Sequence, residues 1–266
     1  DMRTVALVVH DEKDQAIEVA GRLAGLLEEM GIRAISTGED APLEEVEAVI
    51  GVGGDGTVLR AARLALRRRI PIAGVNVGRV GYLAEFEIDE LALLAEAIAG
   101  NHLQIIDRMT VEVTCGDTTV DAVNDVVIEK VLSQRIIEIA VTINGRRFAR
   151  YRTDGLIVAT PAGSTAYSLS AGGPVVDPEV DALVLTPVAP HSLLSRSLIL
   201  APEAVISVTV EIDRPARVNV DGREVCLVEP GRSIEVRRGA ERIRFLTLGR
   251  HPFPQAVRHQ FGLDHA

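Results

Sequence analysis

The first hundred residues alternate strand-like segments with segments of helical period, and such alternation restricts a chain to a parallel sheet with helices on its faces. Residues 3–9 (RTVALVV), 32–36 (IRAIS), 46–52 (VEAVIGV) and 71–77 (PIAGVNV) read as strands. Helices are predicted over 14–30, 57–69 and 89–99. In the first helix, Ile17, Ala20, Leu23, Leu27 and Met30 fall on one face, and Gly31 is placed to close it. After Gly100 the apolar period drops to two. TVEVT, AVNDVVIEK, IIEIAVTING, VISVTVEI, ARVNV, SIEVRR and IRFLTL, separated by Gly, Asp and Pro turns, predict a mostly antiparallel β half. One short helical stretch, near 164–170, interrupts it. The boundary falls near residue 101, giving an α/β domain over 1–101 and a β-rich domain over 102–248.

Apolar residues make up 47% of the 266, enough for a sizeable core in each half. A formal net charge of −10 disfavours nucleic acid and anionic membrane as partners, since both are polyanions that a basic surface must neutralise. Phosphate binding would then rest on backbone N–H groups and a few placed arginines. No apolar run reaches the roughly 18 residues of a membrane span, and the first residues lack the pattern of a secretory signal. The two cysteines, Cys115 and Cys226, have no metal-ligand spacing and predict neither a disulfide nor a zinc site. They read as small core residues of a protein kept in a reducing cytoplasm.

The segment VEAVIGVGGDGTVLRAARLAL reads as buried strand, glycine turn and helix, a geometry that aims free N–H groups at whatever lies over the turn. Gly51, Gly53 and Gly56 satisfy G-x-G-x-x-G, yet two details separate the loop from a dinucleotide fingerprint. Asn76 stands where the acidic ribose partner is expected, and a carboxylate, Asp55, stands inside the loop. No Gly-Lys-Ser/Thr follows, which excludes a Walker A loop. A carboxylate among phosphate-binding amides costs electrostatic energy unless it holds a metal or removes a proton from an attacking hydroxyl. An Asp at a helix start can also serve the helix dipole alone. Within Gly-Gly-Asp-Gly-Thr, catalysis is the stronger reading.

A second cluster, RTDGLIVATPAGSTAYSLSAGGPVV over 152–176, packs two turns and a short helix rich in small hydroxyl residues into one stretch. Ser164 and Thr165 are candidate helix caps as well as ligand contacts. Together with GGDGTVLRAAR, GVNVGRVGYLAEF, the Asn124-Asp125 pair in AVNDVVI, LTPVAPHSL and VNVDGREV, this stretch resembles the NAD kinases almost end to end. These enzymes phosphorylate the adenosine ribose 2′-hydroxyl of NAD to give NADP. The GGDGT loop is shared with lipid and sugar kinases, but a lipid kinase would be expected to show a membrane-facing apolar or basic segment, and the sequence has none. A module that binds NAD(P) without turnover is the alternative from another class, disfavoured by the intact Asp55.

The resemblance implies an N-terminal α/β domain with a parallel sheet, a C-terminal β-sandwich-like domain that binds NAD, and a tail, about 249–266, that returns to the first domain. It implies ATP or polyphosphate as donor, a divalent cation (Mg²⁺ or Mn²⁺) accompanying ATP rather than a protein-only metal site, and a homodimer or homotetramer. Asp55 resembles the general base, with Gly53, Gly54, Gly56 and Thr57 facing phosphate and Arg60 pointing into the same cleft. By the same resemblance Asn124 and Asp125 hold the ribose and nicotinamide side of NAD, Asp154 meets a polar edge of the ligand, and Ala162 lies near the adenine. Thr165, Ala166, Tyr167 and Ser170 line the dinucleotide pocket, and Arg135, Arg152 and Arg223 occupy looser substrate-contact positions. Ala162 replaces a Thr common in the family's TPTGSTAY.

Other polar residues read as structural. His191 in PHSL suits a turn; His102, His251, His259 and His265 read as solvated. Arg67, Arg68 and Arg69 end a helix, where cations favour the dipole. Asp221 and Gly222 suit a two-residue hairpin turn first and a ligand edge second.

Overall fold

A computed structural model describes residues 3–10, 13–37, 43, 45–78, 81–132, 134–192, 194–211, 214–250 and 253–263. His251 and His265 lie outside the described residues. In chain order the first elements are β1 (Thr4–Val9), α1 (Asp14–Glu29), β2 (Arg33–Ser36), β3 (Val46–Gly53), α2 (Asp55–Leu66), β4 (Ile72–Asn76), α3 (Leu91–Ala99) and β5 (Gln104–Arg108). Strands then dominate: β6 (Val111–Cys115), β7 (Thr118–Ala122), β8 (Asp125–Lys130), β9 (Ile137–Ile143), β10 (Arg146–Thr153) and β11 (Gly155–Ala159). After α4 (Tyr167–Ser170) come β12 (Leu183–Val188), β13 (Leu198–Leu200), β14 (Ile206–Val210), β15 (Ala216–Val220), β16 (Arg223–Val228) and β17 (Ser233–Arg238). The chain closes with β18 (Ile243–Thr247) and α5 (Phe253–Gln260).

Two compact units result: residues 1–107 joined by 242–266, and residues 108–241. The first holds a six-stranded sheet in the order β2-β1-β3-β4-β18-β5. β2, β1, β3, β4 and β18 run parallel, as crossover helices require. β3 is buried along nearly its whole length, in keeping with a strand covered on both faces. IRFLTL, whose period-two pattern assigns it to the antiparallel half, instead forms β18 and pairs with β4 through Phe245 and Ile72. Alternation alone does not say which sheet a strand joins. In α1 the buried stripe is Ala16, Val19, Ala20, Leu23 and Leu27, whereas Ile17 and Met30 of the predicted face are exposed at 51% and 36%. The stripe shares Ala20, Leu23 and Leu27 with the predicted face and is widened toward Ala16 and Val19 on one side, leaving Ile17 at its exposed margin. Gly31 takes a φ of +76°, and its N–H donates to Glu28 as the helix ends.

The second unit is a pair of six-stranded antiparallel sheets, β10-β9-β14-β17-β6-β7 and β13-β12-β11-β8-β15-β16. Alternate residues of both sheets, among them Val113, Ile139, Val208 and Val236 from one and Ile128, Leu156, Leu185 and Val218 from the other, share one core. That is a sandwich held by interdigitating inner faces. The outer face of β8, β11 and β12 carries a smaller cluster of Val127, Ile157, Ala159 and Val184, covered by Val176. Cys115 on β6 and Cys226 on β16 are bonded to each other across the sandwich, with Cα atoms 6.8 Å apart. This corrects the expectation of two free core thiols. The pair is 111 residues apart in sequence, a separation at which spacing carries no information about contact. Among the described residues no helix is long and apolar enough to cross a membrane.

Candidate active site

In the first unit the glycine loop joins β3 to α2 at the carboxyl end of a parallel strand, where α/β sheets characteristically bind ligands. Gly54 is the extended residue before α2, and its carbonyl accepts the first helical N–H bonds, from Thr57 and Val58. A Cβ on Gly53 would stand 2.3 Å from the Thr57 hydroxyl, so the close seating of buried Thr57 under the turn requires glycine there. Gly56 is exposed, and Arg60 lies half-buried one turn further along α2.

Asp55 opens α2, where a negative charge favours the dipole. Its carboxylate is also anchored from outside the helix. The Tyr82 N–H donates to Oδ2 at 2.9 Å and the Leu83 N–H to Oδ1 at 3.1 Å. Gly81 makes this approach possible, because a Cβ at that position would stand 2.1 Å from Oδ1. Each oxygen keeps acceptor capacity after these bonds. Burial first, and the Asp55 charge second, push the Tyr82 phenol up from its ordinary value. Beside the loop, the Asn76 side-chain amide donates to both carboxylate oxygens of Glu87 at 3.2 Å, so the residue in the ribose-acid position is engaged within its own unit.

In the second unit the turn Ala162–Thr165, followed by Ala166 and Tyr167, lies against Asn124 and Asp125 at the start of β8, while Asp154 stands at the strand's far end beside Lys130. The organiser is Thr160 at the end of β11. Its hydroxyl donates to the Val123 carbonyl at 2.6 Å and accepts the Gly163 N–H at 3.0 Å, while its own N–H reaches the Asn124 carbonyl at 2.9 Å. Gly163 then approaches so closely that a Cβ would stand 2.0 Å from the Asn124 oxygen. The short 3₁₀ turn Ala162–Thr165 is thereby pressed onto Asn124. Ser164 caps no helix: fully buried, it accepts the Val176 N–H at 3.0 Å and closes the loop on itself. Thr165 reaches back to the Ala162 carbonyl at 3.4 Å.

Asp221 is the residue whose role the sequence conceals. It and Gly222 form the β15–β16 turn with φ of +47° and +77°, the double positive φ of a type I′ hairpin. From that turn its carboxylate accepts the N–H groups of Val123 at 2.9 Å, Asn124 at 2.8 Å and Asp125 at 3.3 Å. Asp125 itself is 5% exposed, and its carboxyl is pushed up to about 7, by burial first and by the Asp221 charge second. Asn124 Oδ1 is buried without a hydrogen-bond partner. A buried acceptor left open in this way is costly unless a ligand supplies a donor.

Asp154 is paired with Lys130 at 2.7 Å, a contact absent from the sequence reading although Lys130 ends the AVNDVVIEK strand. Tyr167 is 41% exposed on α4, and its phenol is raised by burial first and then by the charges of Glu129, Asp154 and Asp125, opposed by Lys130. Ser170 is exposed at the end of α4, while its neighbour Ser168 is buried and bonded to Thr186. The three arginines are not drawn into the cluster around Asn124. Arg152 is exposed and pairs with Glu138 on β9, Arg135 is exposed after β8, and Arg223 is exposed two residues beyond Asp221. His191 donates its backbone N–H to Arg152 in a turn, and Arg67, Arg68 and Arg69 are exposed beyond α2.

A glycine turn carrying a carboxylate at a helix N-terminus, in an α/β unit coupled in sequence to an antiparallel sandwich, defines a nucleotide-dependent phosphotransferase. Residues 33–102 match the family described as ATP-NAD kinase N-terminal domain, and residues 123–248 match ATP-NAD kinase C-terminal domain. A protein named NAD kinase 2 from Streptomyces avermitilis is 38% identical, covering 98% of this chain and 95% of the relative. An NAD kinase from Heliobacterium modesticaldum is 37% identical over 97% and 98%. Among solved structures, an NAD kinase from Archaeoglobus fulgidus in complex with ATP superposes with a TM-score of 0.80, 28% identity and 98% coverage of both chains. Yeast NADH kinase complexed with NADH shares the fold, with a TM-score of 0.89 at 22% identity, over 100% of this chain and 89% of the other. The chain belongs to the NAD kinase family.

Proposed function

We propose that the chain transfers the γ-phosphoryl group of ATP to the adenosine ribose 2′-hydroxyl of NAD, giving NADP, with Asp55 as general base. The hydroxyl's O–H bond breaks as its proton passes to an Asp55 oxygen, the O2′–Pγ bond forms, and the bond from Pγ to the departing ADP oxygen breaks. A ribose hydroxyl is a poor nucleophile, so proton removal in the transition state is worth about 10²–10⁴ in rate. The observation that carries this reading is the Asp55 carboxylate, fixed through both oxygens at the N-terminus of α2 with acceptor capacity left over. A helix start otherwise suited to phosphate holds an aimed base.

On this reading Asn124 and Asp125 meet the ribose and nicotinamide side of NAD, and Tyr167 offers its ring face beside Thr165, Ala166 and Ser170. Gly53, Gly54, Gly56, Thr57 and Arg60 face phosphate; Asp154, Ala162, Arg135, Arg152 and Arg223 complete the contacts. The divalent cation neutralises developing charge on the phosphates. On this reading the cation is carried by the phosphates of ATP rather than by a protein-only site. The homodimer or homotetramer implied by the resemblance is the working form. A cytoplasmic setting fits soluble nucleotide substrates.

The test is NADP formation by purified protein with NAD, ATP and Mg²⁺, with polyphosphate as a parallel donor and NADH as a parallel acceptor. No NADP above a heat-killed control with either donor refutes the activity. Asp55→Asn, which keeps the shape but can accept only one of the Tyr82 and Leu83 N–H bonds, is expected to bind NAD while losing about 10²-fold or more of kcat. A variant with near wild-type kcat would show that Asp55 is not the base.

A further inference from the structure

The segment that anchors Asp55 has little regular structure of its own. Between Gly81 and Glu87 it forms one bridge, at Phe86, whose carbonyl accepts the Asn76 N–H at 2.7 Å and whose N–H donates to the Gly74 carbonyl at 3.1 Å. That grip holds only one end. Asn76 also holds Glu87, and further contacts come from the end of the chain, some 160 to 179 residues further on. Gln260 at the end of α5 donates its side-chain N–H to the Gly81 carbonyl at 2.9 Å. The Leu248 N–H donates to Glu85 Oε1 at 2.9 Å. Arg250 reaches Glu90 through both terminal nitrogens, lies 3.7 Å from Glu85, and places its guanidinium 5.4 Å from the centre of the Phe86 ring. Tyr82 and Leu83, the two donors to Asp55, lie between the points the tail grips at Gly81 and Glu85.

We propose that the C-terminal tail is a positioning element for Asp55, with Arg250 and Gln260 acting through the segment Gly81–Glu90 to hold the Tyr82 and Leu83 amides against the carboxylate. The inference rests on the reading of Asp55 as the general base. Two features of the structure support it. One face of α5, Phe253, Ala256, Val257 and Gln260, is half-buried, and from that face the Gln260 side chain reaches the Gly81 carbonyl. The Glu85 and Glu90 carboxylates are the partners of Arg250, and its charge neutralises theirs, so losing Arg250 leaves two adjacent acids free to repel. A base aimed by two amides is sensitive to small displacement of those amides, and a misplacement of about 1 Å can cost on the order of 10²-fold in rate.

The experiment uses the full chain and measures kcat, KM for NAD and Tm for Gln260→Leu, Arg250→Leu and Arg250→Lys, each in the wild-type and Asp55→Asn backgrounds. Gln260→Leu is expected to lower kcat about 5–10-fold and Arg250→Leu more, with KM for NAD moved by less than about twofold. Arg250→Lys, which keeps the charge beside Glu85 and Glu90, restores most of the loss. In the Asp55→Asn background neither tail substitution changes the residual rate, because a group that acts only through Asp55 has nothing left to position. If Arg250→Leu fails to fold, Gln260→Leu decides the matter alone. Asp55→Asn inactive while both tail variants keep full kcat overturns the positioning and leaves the base assignment standing. An equal fall in kcat in both backgrounds also overturns it. Asp55→Asn at wild-type kcat removes the base, and the positioning with it.

Discussion

Breaking the Cys115–Cys226 bond is the perturbation whose size the structure defines most directly. The bond joins β6 of one sheet to β16 of the other, so it staples the two halves of the sandwich and closes a loop of 111 residues in the unfolded chain. On the chain-entropy account, a loop on the order of 100 residues corresponds to about 4.7 kcal/mol, while measured disulfide contributions cluster at about 2–4 kcal/mol. The measured range is the better guide, because the bonded cysteines pack against the periphery of the core rather than at its centre. For a domain of this size about 1 kcal/mol moves Tm by roughly 4 °C, so reduction should lower Tm of the sandwich by about 8–16 °C. Calorimetry with and without a thiol reductant, alongside a Cys115→Ser/Cys226→Ser double variant, measures it. Reductant should not lower the Tm of the double variant further. A thiol assay in denaturant should find no free thiol in untreated protein and two after reduction. Two free thiols in the untreated protein, or a Tm indifferent to reductant, would refute the reasoning.

Asp125 makes stability depend on pH with a definite sign. Its carboxyl is raised to about 7 in the folded protein, so the fold favours the protonated form; stability is full at acid pH, below its ordinary value, and is lost as pH rises toward and through about 7. Tm measured between about pH 5 and 8 should fall for the wild type through this group, and Asp125→Asn should remove that part of the slope; an unchanged slope would refute it. Asp221→Asn keeps a residue suited to positive φ in the turn but removes the charge that raises Asp125, so the same slope should shrink while the hairpin persists. Asp221→Ala strips the acceptor from three backbone N–H groups and should cost about 1–3 kcal/mol in urea unfolding; a loss below about 0.5 kcal/mol would mean the amides find other partners.

The parts of the protein that were legible in its sequence share one property: their physics is local. The period of β1 and β3, the turn at Gly53–Gly54 and the I′ chemistry of Asp221-Gly222 depend on residues within a turn or two, while α2 begins at Asp55, two residues before the predicted start at Thr57. What escaped depends on distant partners. The Asp221 carboxylate meets amides 96 to 98 residues away, Cys115 meets Cys226 across 111, and β18 returns to β4 from the far end of the chain. Asp55 stands at the border between the two cases. Its presence inside Gly-Gly-Asp-Gly-Thr marked it as chemically anomalous, because an acid among phosphate-binding amides demands a compensating reason. Where its carboxylate is held was not written in that loop but in Gly81, a residue that the strand–turn–helix pattern leaves unexplained until a Cβ is imagined there and found to collide with Oδ1 at 2.1 Å. Gly21 and Gly25, inside α1 with nothing within 4 Å of a would-be Cβ, show that a glycine outside a turn need not mark a contact; Gly81 does, and it points at the group proposed to take the proton.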